Sequence, residues 1–228
     1  MTSEQLPLLE ALVIFLGEIE RDLRKDLDLA GLHSRNPVAH KWKAPMRCWV
    51  LRECVARRSR ELLLQALELE IGGHLLASRI LARSAIETLA VLAYSNYSMT
   101  QVAAGALDFK EFSLRTQVLL AGSKNRTTPY EAVGILKMID RLDNDFAGVR
   151  NIYDHLSEYV HPNYEGLAKA YSQPVRSEDR IVFLSNMRPV VDDTIPAIVK
   201  ICTHILTTNY NERFELPPEN RTVTAATI

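Results

Sequence analysis

Cysteine is scarce in this chain: the 228 residues include only Cys48, Cys54 and Cys202. Their number is odd, and they lack the close CxxC spacing of a zinc site or a redox pair. The amino terminus also lacks the charged-then-apolar pattern of a signal segment. Together these absences predict a protein of the reducing cytoplasm.

Long apolar runs and an excess of charge are missing as well. The apolar runs fall far short of the roughly 20 residues that a membrane helix requires, so we expect no spanning segment and no membrane partner. The 27 Lys and Arg are offset by 28 Asp and Glu, which leaves a net charge of -1. Because the chain has no global attraction to polyanions, any contact with a nucleic acid must come from a local patch.

Apolar residues recur at spacings of three and four along most of the chain, which is typical of amphipathic helices. Gly72-Gly73 marks one break between helices, and a polar connector is expected over 31–45. Thr128-Pro129-Tyr130-Glu131 resembles a capping box with proline at the first helical position. The predicted helices span 6–29, 46–69, 73–97, 128–142, 143–160 and 188–210.

These helices predict an all-α fold. We expect a single bundle of five to six helices over residues 1–216, followed by a frayed tail over 217–228. Two four-residue segments flank a polar turn that contains Pro174, and they could pair as a small β-hairpin within 168–184.

The segment 150–163, which reads RNIYDHLSEYVHPN, has the highest density of chemically versatile side chains. At about 100° per residue its polar side chains share one helix face, opposite an apolar face. Arg150 and His155 lie about 7.5 Å apart along the axis, a span that one phosphodiester and its ribose can bridge. Imidazole moves protons near neutral pH and guanidinium holds two phosphate oxygens, so this face is a candidate phosphodiester site.

Other interpretations of the same face are simpler. Arg150 and Asp154 have the spacing of an ordinary i,i+4 ion pair on a solvated helix. His155 and His161 are six residues apart, at different angular positions and without a close third ligand, so we expect no metal site.

Arg79, Arg83 and Glu87 form a second polar stripe, repeating every four residues along the otherwise apolar helix 73–97. Burying such charges without partners costs several kcal/mol. The stripe must therefore be paired internally, face a cleft or face water. In the functional alternative, Glu87 orients Arg83 into the same cleft as the motif helix, where it supplies positive charge for a phosphate.

Arg150, Asn151 and His155 match, position by position, the R-x(4-6)-H pattern of the HEPN superfamily (higher eukaryote and prokaryote nucleotide-binding domains), which the chain resembles. The wider phrasing, RSAIE over 83–87 and LSEYVHP over 156–162, is similar to an uncharacterised bacterial branch of HEPN-like proteins. The similarity spans about residues 50–210.

This resemblance implies a fold, a range of functions and a set of partners. Many HEPN proteins are metal-independent endoribonucleases of toxin-antitoxin, phage-defence or RNA-processing systems, and they are usually dimers whose paired motifs form one cleft. The resemblance therefore implies RNA or a nucleotide as ligand, a homodimer, an antitoxin or other partner protein, and no cofactor. Other members are non-catalytic modules that bind a nucleotide or a protein, and that alternative remains open here.

The resemblance also assigns roles to residues. His155 would act as the base and Arg150 would neutralise the phosphate, while Asn151 would position Arg150 or the phosphate. His161 belongs to the LSEYVHP phrase, so either histidine can be the functional one. The candidates for substrate binding are Arg79, Arg83, Glu87, Ser157 and Asn163.

Overall fold

The structure is a computed structural model that describes residues 5–28, 43–125, 127–188 and 195–211. Within these residues it contains seven α-helices and one antiparallel two-stranded hairpin, which confirms the predicted all-α bundle with a small hairpin. The helices are α1 Gln5–Asp22, α2 Lys43–Ile71, α3 Leu75–Ala103, α4 Phe109–Ala121, α5 Ile135–Asp145, α6 Val149–Val160 and α7 Ile195–Asn211. The strands are β1 Ser172–Val175 and β2 Arg180–Phe183, and a π-helical turn, Glu165–Lys169, follows α6.

The centre of the bundle is α3, which packs against α2, α4, α5, α6 and α7. Small residues such as Ala85 and Ala93 are fully buried on α3, so neighbouring helices can approach it closely. Leu89 lies in the same core. Burial of such side chains is the main favourable contribution to folding, at about 25 cal/mol per Å² of apolar surface. Each of the other helices that form this core contributes fully or almost fully buried leucines or isoleucines, including Leu16, Leu63, Ile139, Leu156 and Ile205.

Two glycines with positive φ lie in the connections that precede α3 and α6, the helices that carry the predicted site residues. Gly73, at φ 77°, ends the α2 to α3 connection where the sequence predicts it. Gly148, at φ 97°, separates α5 from α6, so the prediction of one helix over 143–160 is wrong at its start. The Asp143 carboxylate explains the restart of the helix, because its Oδ1 accepts hydrogen bonds at 2.9 Å from the backbone N–H groups of Gly148 and Arg150.

The predicted helix over 128–142 is also wrong at its start, since α5 begins only at Ile135. The Thr128 hydroxyl hydrogen-bonds to the carbonyl oxygen of Ala121, at the end of α4. Ser123 and Glu131 form an isolated parallel bridge beside it. Thr128 therefore closes a loop back onto α4, and its hydroxyl does not cap a new helix.

Other boundaries differ as well. Helix α1 ends at Asp22, short of the predicted 29, and α2 begins before Pro45, which is tolerated in a first turn. Pro174, predicted in the turn, lies in β1 opposite Ile181, and the turn is formed by residues around Asp179, at φ 45°. The predicted tail 217–228 and most of the connector 31–45 lie outside the described residues.

No helix in the described ranges has both the length and the apolar content needed to cross a bilayer. The domain boundary at residue 216 stays a prediction.

Candidate functional site

The motif helix α6 has the two faces that its sequence predicts. Val149, Tyr153 and Leu156 are buried against the core. Asn151 and His155 are exposed, as are Asp154, Glu158 and His161 on the same helix. The R-N-x-x-x-H motif is therefore open to solvent.

Two carboxylates bracket the Arg150 side chain, which is 33% exposed. Its Nε donates to Asp154 Oδ2 at 2.8 Å, and its Nη1 pairs with Asp140 on α5. The hydrogen bonds that Arg150 donates to Asp154 and Asp140 raise the pKa of its guanidinium. A phosphate that reaches Arg150 must compete with two neighbouring carboxylates.

The two candidate histidines lie at different places on α6. The His155 ring meets the Tyr159 ring edge to face, with centroids 5.2 Å apart. His161 is the C-cap residue of α6, and its ψ of 142° is the extended geometry expected before Pro162. Its backbone N–H donates to the Ser157 carbonyl at 3.1 Å.

Asn163, the last of the predicted binding residues, organises the chain just after α6. Its Nδ2 donates to Glu158 Oε2 at 2.6 Å, and its Oδ1 accepts from the Gly166 N–H at 2.9 Å. These bonds connect the exposed face of α6 to the π-helical turn Glu165–Lys169. Asn163 therefore serves here as a turn residue beside His161.

Arg83 and Glu87 of α3 form a network with α6. Arg83 donates from Nε to Ser157 Oγ at 2.9 Å and from Nη2 to the Tyr153 hydroxyl at 2.7 Å. The Tyr153 hydroxyl donates in turn to Glu87 Oε1 at 3.0 Å, and Arg83 pairs with Glu87 at 3.1 Å. The two segments that carry the wider resemblance therefore meet at Arg83 and Ser157.

This network remains partly open to water, since the Arg83 and Glu87 side chains are 23% and 29% exposed. It contacts α6 through Tyr153 on the core side, whereas Arg150 lies beside the exposed Asp154. Of the alternatives for the stripe, internal pairing is therefore observed. The spacing of four that joins Tyr153 to Ser157 continues to His161, at the end of α6.

Arg79 lies deeper in the protein, with its side chain 1% exposed. Its Nη1 donates to the Leu75 carbonyl at 3.0 Å and lies 3.8 Å from Glu70 Oε2. The guanidinium is stacked over the Tyr159 ring, 5.4 Å from its centroid. In the described part of the chain Arg79 Nε has no hydrogen-bond partner. Arg79 is thus enclosed beneath the end of α6, away from any surface ligand.

Sequence reasoning missed three residues of this region. The helical pattern of 150–163 places Tyr153 on the apolar face, although its hydroxyl is the centre of the Arg83 network. Its spacing of four from Ser157 is the signal that could have indicated this role. The sequence contains no comparable signal for Asp140 and Asp143, because they contact Arg150 only when α5 packs beside α6.

Comparison of the chain with family models, with curated proteins and with solved structures finds no match in any of the three.

Proposed function

We propose that this chain is a metal-independent endoribonuclease of HEPN type, which works as a homodimer on RNA in a bacterial defence or toxin-antitoxin system. One observation supports the proposal above the others: Arg150, Asn151 and His155 lie on α6 with their side chains at the surface, while the opposite face is fixed in the core. An RNA strand can approach this face without any rearrangement of the bundle.

In the proposed reaction, His155 or His161 takes the proton of a ribose 2′-hydroxyl. The 2′-oxygen attacks the adjacent phosphorus, and the bond from phosphorus to the 5′-oxygen breaks. A 2′,3′-cyclic phosphate forms, and the departing 5′-oxygen takes a proton from the second imidazole or from water. Arg150 neutralises the charge that builds on the phosphoryl oxygens, which is most effective when the cation is held in place beforehand.

The carboxylates beside Arg150 affect how RNA would bind. Asp140 and Asp154 are 59% and 54% exposed, so water and salt screen both ion pairs. Exposed pairs of this kind are weak, and a phosphate diester can displace them. Until RNA arrives, the two carboxylates hold the guanidinium at the surface of α6, which fits a preorganised cation.

The test is incubation of purified protein with a structured RNA in excess chelator, comparing wild type with Arg150→Ala, His155→Ala and His161→Ala. We expect products that end in a 2′,3′-cyclic phosphate, and a loss of roughly a hundredfold in rate for Arg150→Ala and for one histidine variant. Arg180→Ala, which removes an exposed arginine in the hairpin, is the matched control and should cleave normally. Cleavage that persists in all three motif variants would rule out the assignment.

A non-catalytic nucleotide- or protein-binding module is the second candidate, and one observation favours it. Arg150 is already paired with two carboxylates, so it has less positive charge to offer a transition state. This candidate predicts no cleavage of any RNA. It also predicts that a nucleotide or a partner raises the melting temperature, because a ligand of the native state stabilises it.

A further inference from the structure

A cavity of about 230 Å³ lies between α2 and the segment that follows α1. In the part of the chain that the structure describes, α6 contributes no residue to its lining. Leu27, Trp49 and Val50 form its apolar wall. Its volume is below the roughly 300–1,000 Å³ of clefts that hold drug-sized ligands. A ligand that fits inside is therefore small, about the size of one ring with a substituent.

A buried arginine, Arg52, lies at the side of the cavity that is next to α7. The Arg52 side chain is 6% exposed, donates to Glu53 Oε1 at 3.0 Å and stacks over the Tyr210 ring at 4.5 Å. Glu53 also accepts from Arg57 at 3.0 Å and from the Tyr210 hydroxyl at 2.7 Å. One carboxylate thus accepts hydrogen bonds from two guanidinium groups on this side of the cavity.

The opposite rim adds two more cations. The Arg24 guanidinium lies 5.9 Å from the centroid of the Trp49 ring, and Lys25 is its neighbour in the chain. Within the described ranges, neither of these cations has a carboxylate at ion-pairing distance. Asp26 is the second carboxylate of the lining, so the cavity carries four cations against two anions in a chain whose net charge is -1.

We propose that this cavity binds a small aromatic anion, namely a single ring that carries a carboxylate or a phosphate. The ring packs against Trp49 and Leu27, since aromatic and aliphatic walls favour a flat apolar body. The anionic group lies at the rim, between Arg24 and Arg57, where it is a charge-assisted acceptor. The proposal is independent of ribonuclease activity.

The tryptophan content of the chain provides a direct reporter. The sequence has two tryptophans, so Trp42→Phe leaves Trp49 as the single tryptophan, at the cavity wall. Benzoate and phenyl phosphate are titrated into this protein, next to uncharged benzamide and inorganic phosphate. We expect saturable changes in Trp49 emission with the two aromatic anions and none with the two controls.

Substitution of the rim separates this site from nonspecific binding. Arg24→Gln with Lys25→Gln removes the two cations of the opposite rim, and we expect the affinity for benzoate and phenyl phosphate to fall by roughly tenfold or more. Arg180→Gln removes an exposed arginine in the hairpin and should leave affinity unchanged. Equal binding by the rim variant, or equal binding of benzamide and benzoate, would overturn the proposal.

Cys54 offers a second readout that does not depend on fluorescence. Its thiol is exposed and its residue lines the cavity, whereas Cys48 and Cys202 are buried. A bound aromatic anion should slow alkylation of Cys54 by iodoacetamide in proportion to occupancy, measured by peptide mass spectrometry. An unchanged rate at saturating ligand would show that the ligand binds elsewhere, and would also overturn the proposal.

Discussion

The Arg83 guanidinium and the Tyr153 side chain meet twice: Nη2 donates to the phenol oxygen at 2.7 Å, and the guanidinium carbon lies 4.9 Å from the ring centroid. The two residues are 70 positions apart and join α3 to α6. Burial raises the pKa of the Tyr153 phenol, and the neighbouring Glu87 carboxylate acts in the same direction. The neutral hydroxyl therefore passes a hydrogen bond from Arg83 to Glu87, which fixes α6 against the central helix.

Tyr153→Phe tests this role, since it removes the hydroxyl and keeps the ring. Arg83 and Glu87 then each lose one partner, although they still pair with each other. We expect the free energy of unfolding in urea to fall by about 0.5–1.5 kcal/mol. Tyr164→Phe, which alters a tyrosine that is 71% exposed, should change it by far less. Equal effects of the two substitutions would contradict the role given to Tyr153.

Gly166 supports the end of α6 through its lack of a side chain. A Cβ at this position would lie 2.2 Å from the His161 carbonyl oxygen and 3.0 Å from that of Tyr159. Gly166→Ala should therefore displace the chain around His161 and lower the free energy of unfolding by about 1–3 kcal/mol.

For Gly17 we expect the opposite effect of an alanine substitution on the free energy of unfolding. It lies inside α1, and a Cβ there would meet nothing within 4 Å. Gly17→Ala should raise the free energy of unfolding by about 0.5–1 kcal/mol, because alanine loses less backbone entropy in a helix. Thermal or urea unfolding of Gly166→Ala and Gly17→Ala measures the two changes in the free energy of unfolding, which should have opposite signs. A stabilising effect of Gly166→Ala would show that the π-helical turn can move away from α6.

Apolar periodicity predicts the all-α class and most of the helices, because it reports directly which residues a helix buries, but α4 was not among the predicted helices. The central helix and the two faces of α6 follow from it, and the glycine pair Gly72-Gly73 predicts the break between α2 and α3. The His161 end of α6 was predictable as well, since Pro162 restricts the residue before it. These features depend on local chemistry, which one sequence contains in full.

The helix starts and the site contacts were less predictable, because they depend on partners distant in sequence. Thr128 begins a sequence typical of a helix cap, yet its hydroxyl contacts the end of α4. Asp143 caps α6 from the preceding helix, which no spacing rule indicates. In the site, the stripe of Arg83 and Glu87 was visible, but its main partner Tyr153 looked like a core residue.

The carboxylates beside Arg150 give a prediction that rests on the proposed function. Asp140→Asn with Asp154→Asn keeps the shape of both side chains and removes two negative charges next to the guanidinium. Affinity for RNA should rise several-fold, with a steeper dependence on salt, because more phosphate charge can be neutralised. Filter binding across a salt series measures both quantities. Asp145→Asn, which removes the carboxylate paired with Arg141, is the control; equal gains in both proteins would indicate a general charge effect.

Cys202 gives a prediction about pH that depends on the core alone. Complete burial raises the pKa of its thiol to about 12 from the ordinary value of 9.0, because the interior of the bundle disfavours a thiolate.

The unfolded chain releases this proton first as the pH rises, so the contribution of Cys202 to stability is complete below pH 9 and is lost progressively between 9 and about 12. Between about pH 8 and about pH 10 this loss should be roughly 1.4 kcal/mol. Urea unfolding of wild type and Cys202→Ala at both pH values isolates the contribution of the Cys202 thiol to the free energy of unfolding, since all other groups titrate equally in the two proteins. The variant should lose less stability over this interval than wild type, whatever the cost of the substitution itself. Parallel losses would mean that the Cys202 thiol ionises as easily in the folded protein as in the unfolded chain, and that water reaches α7 at this position.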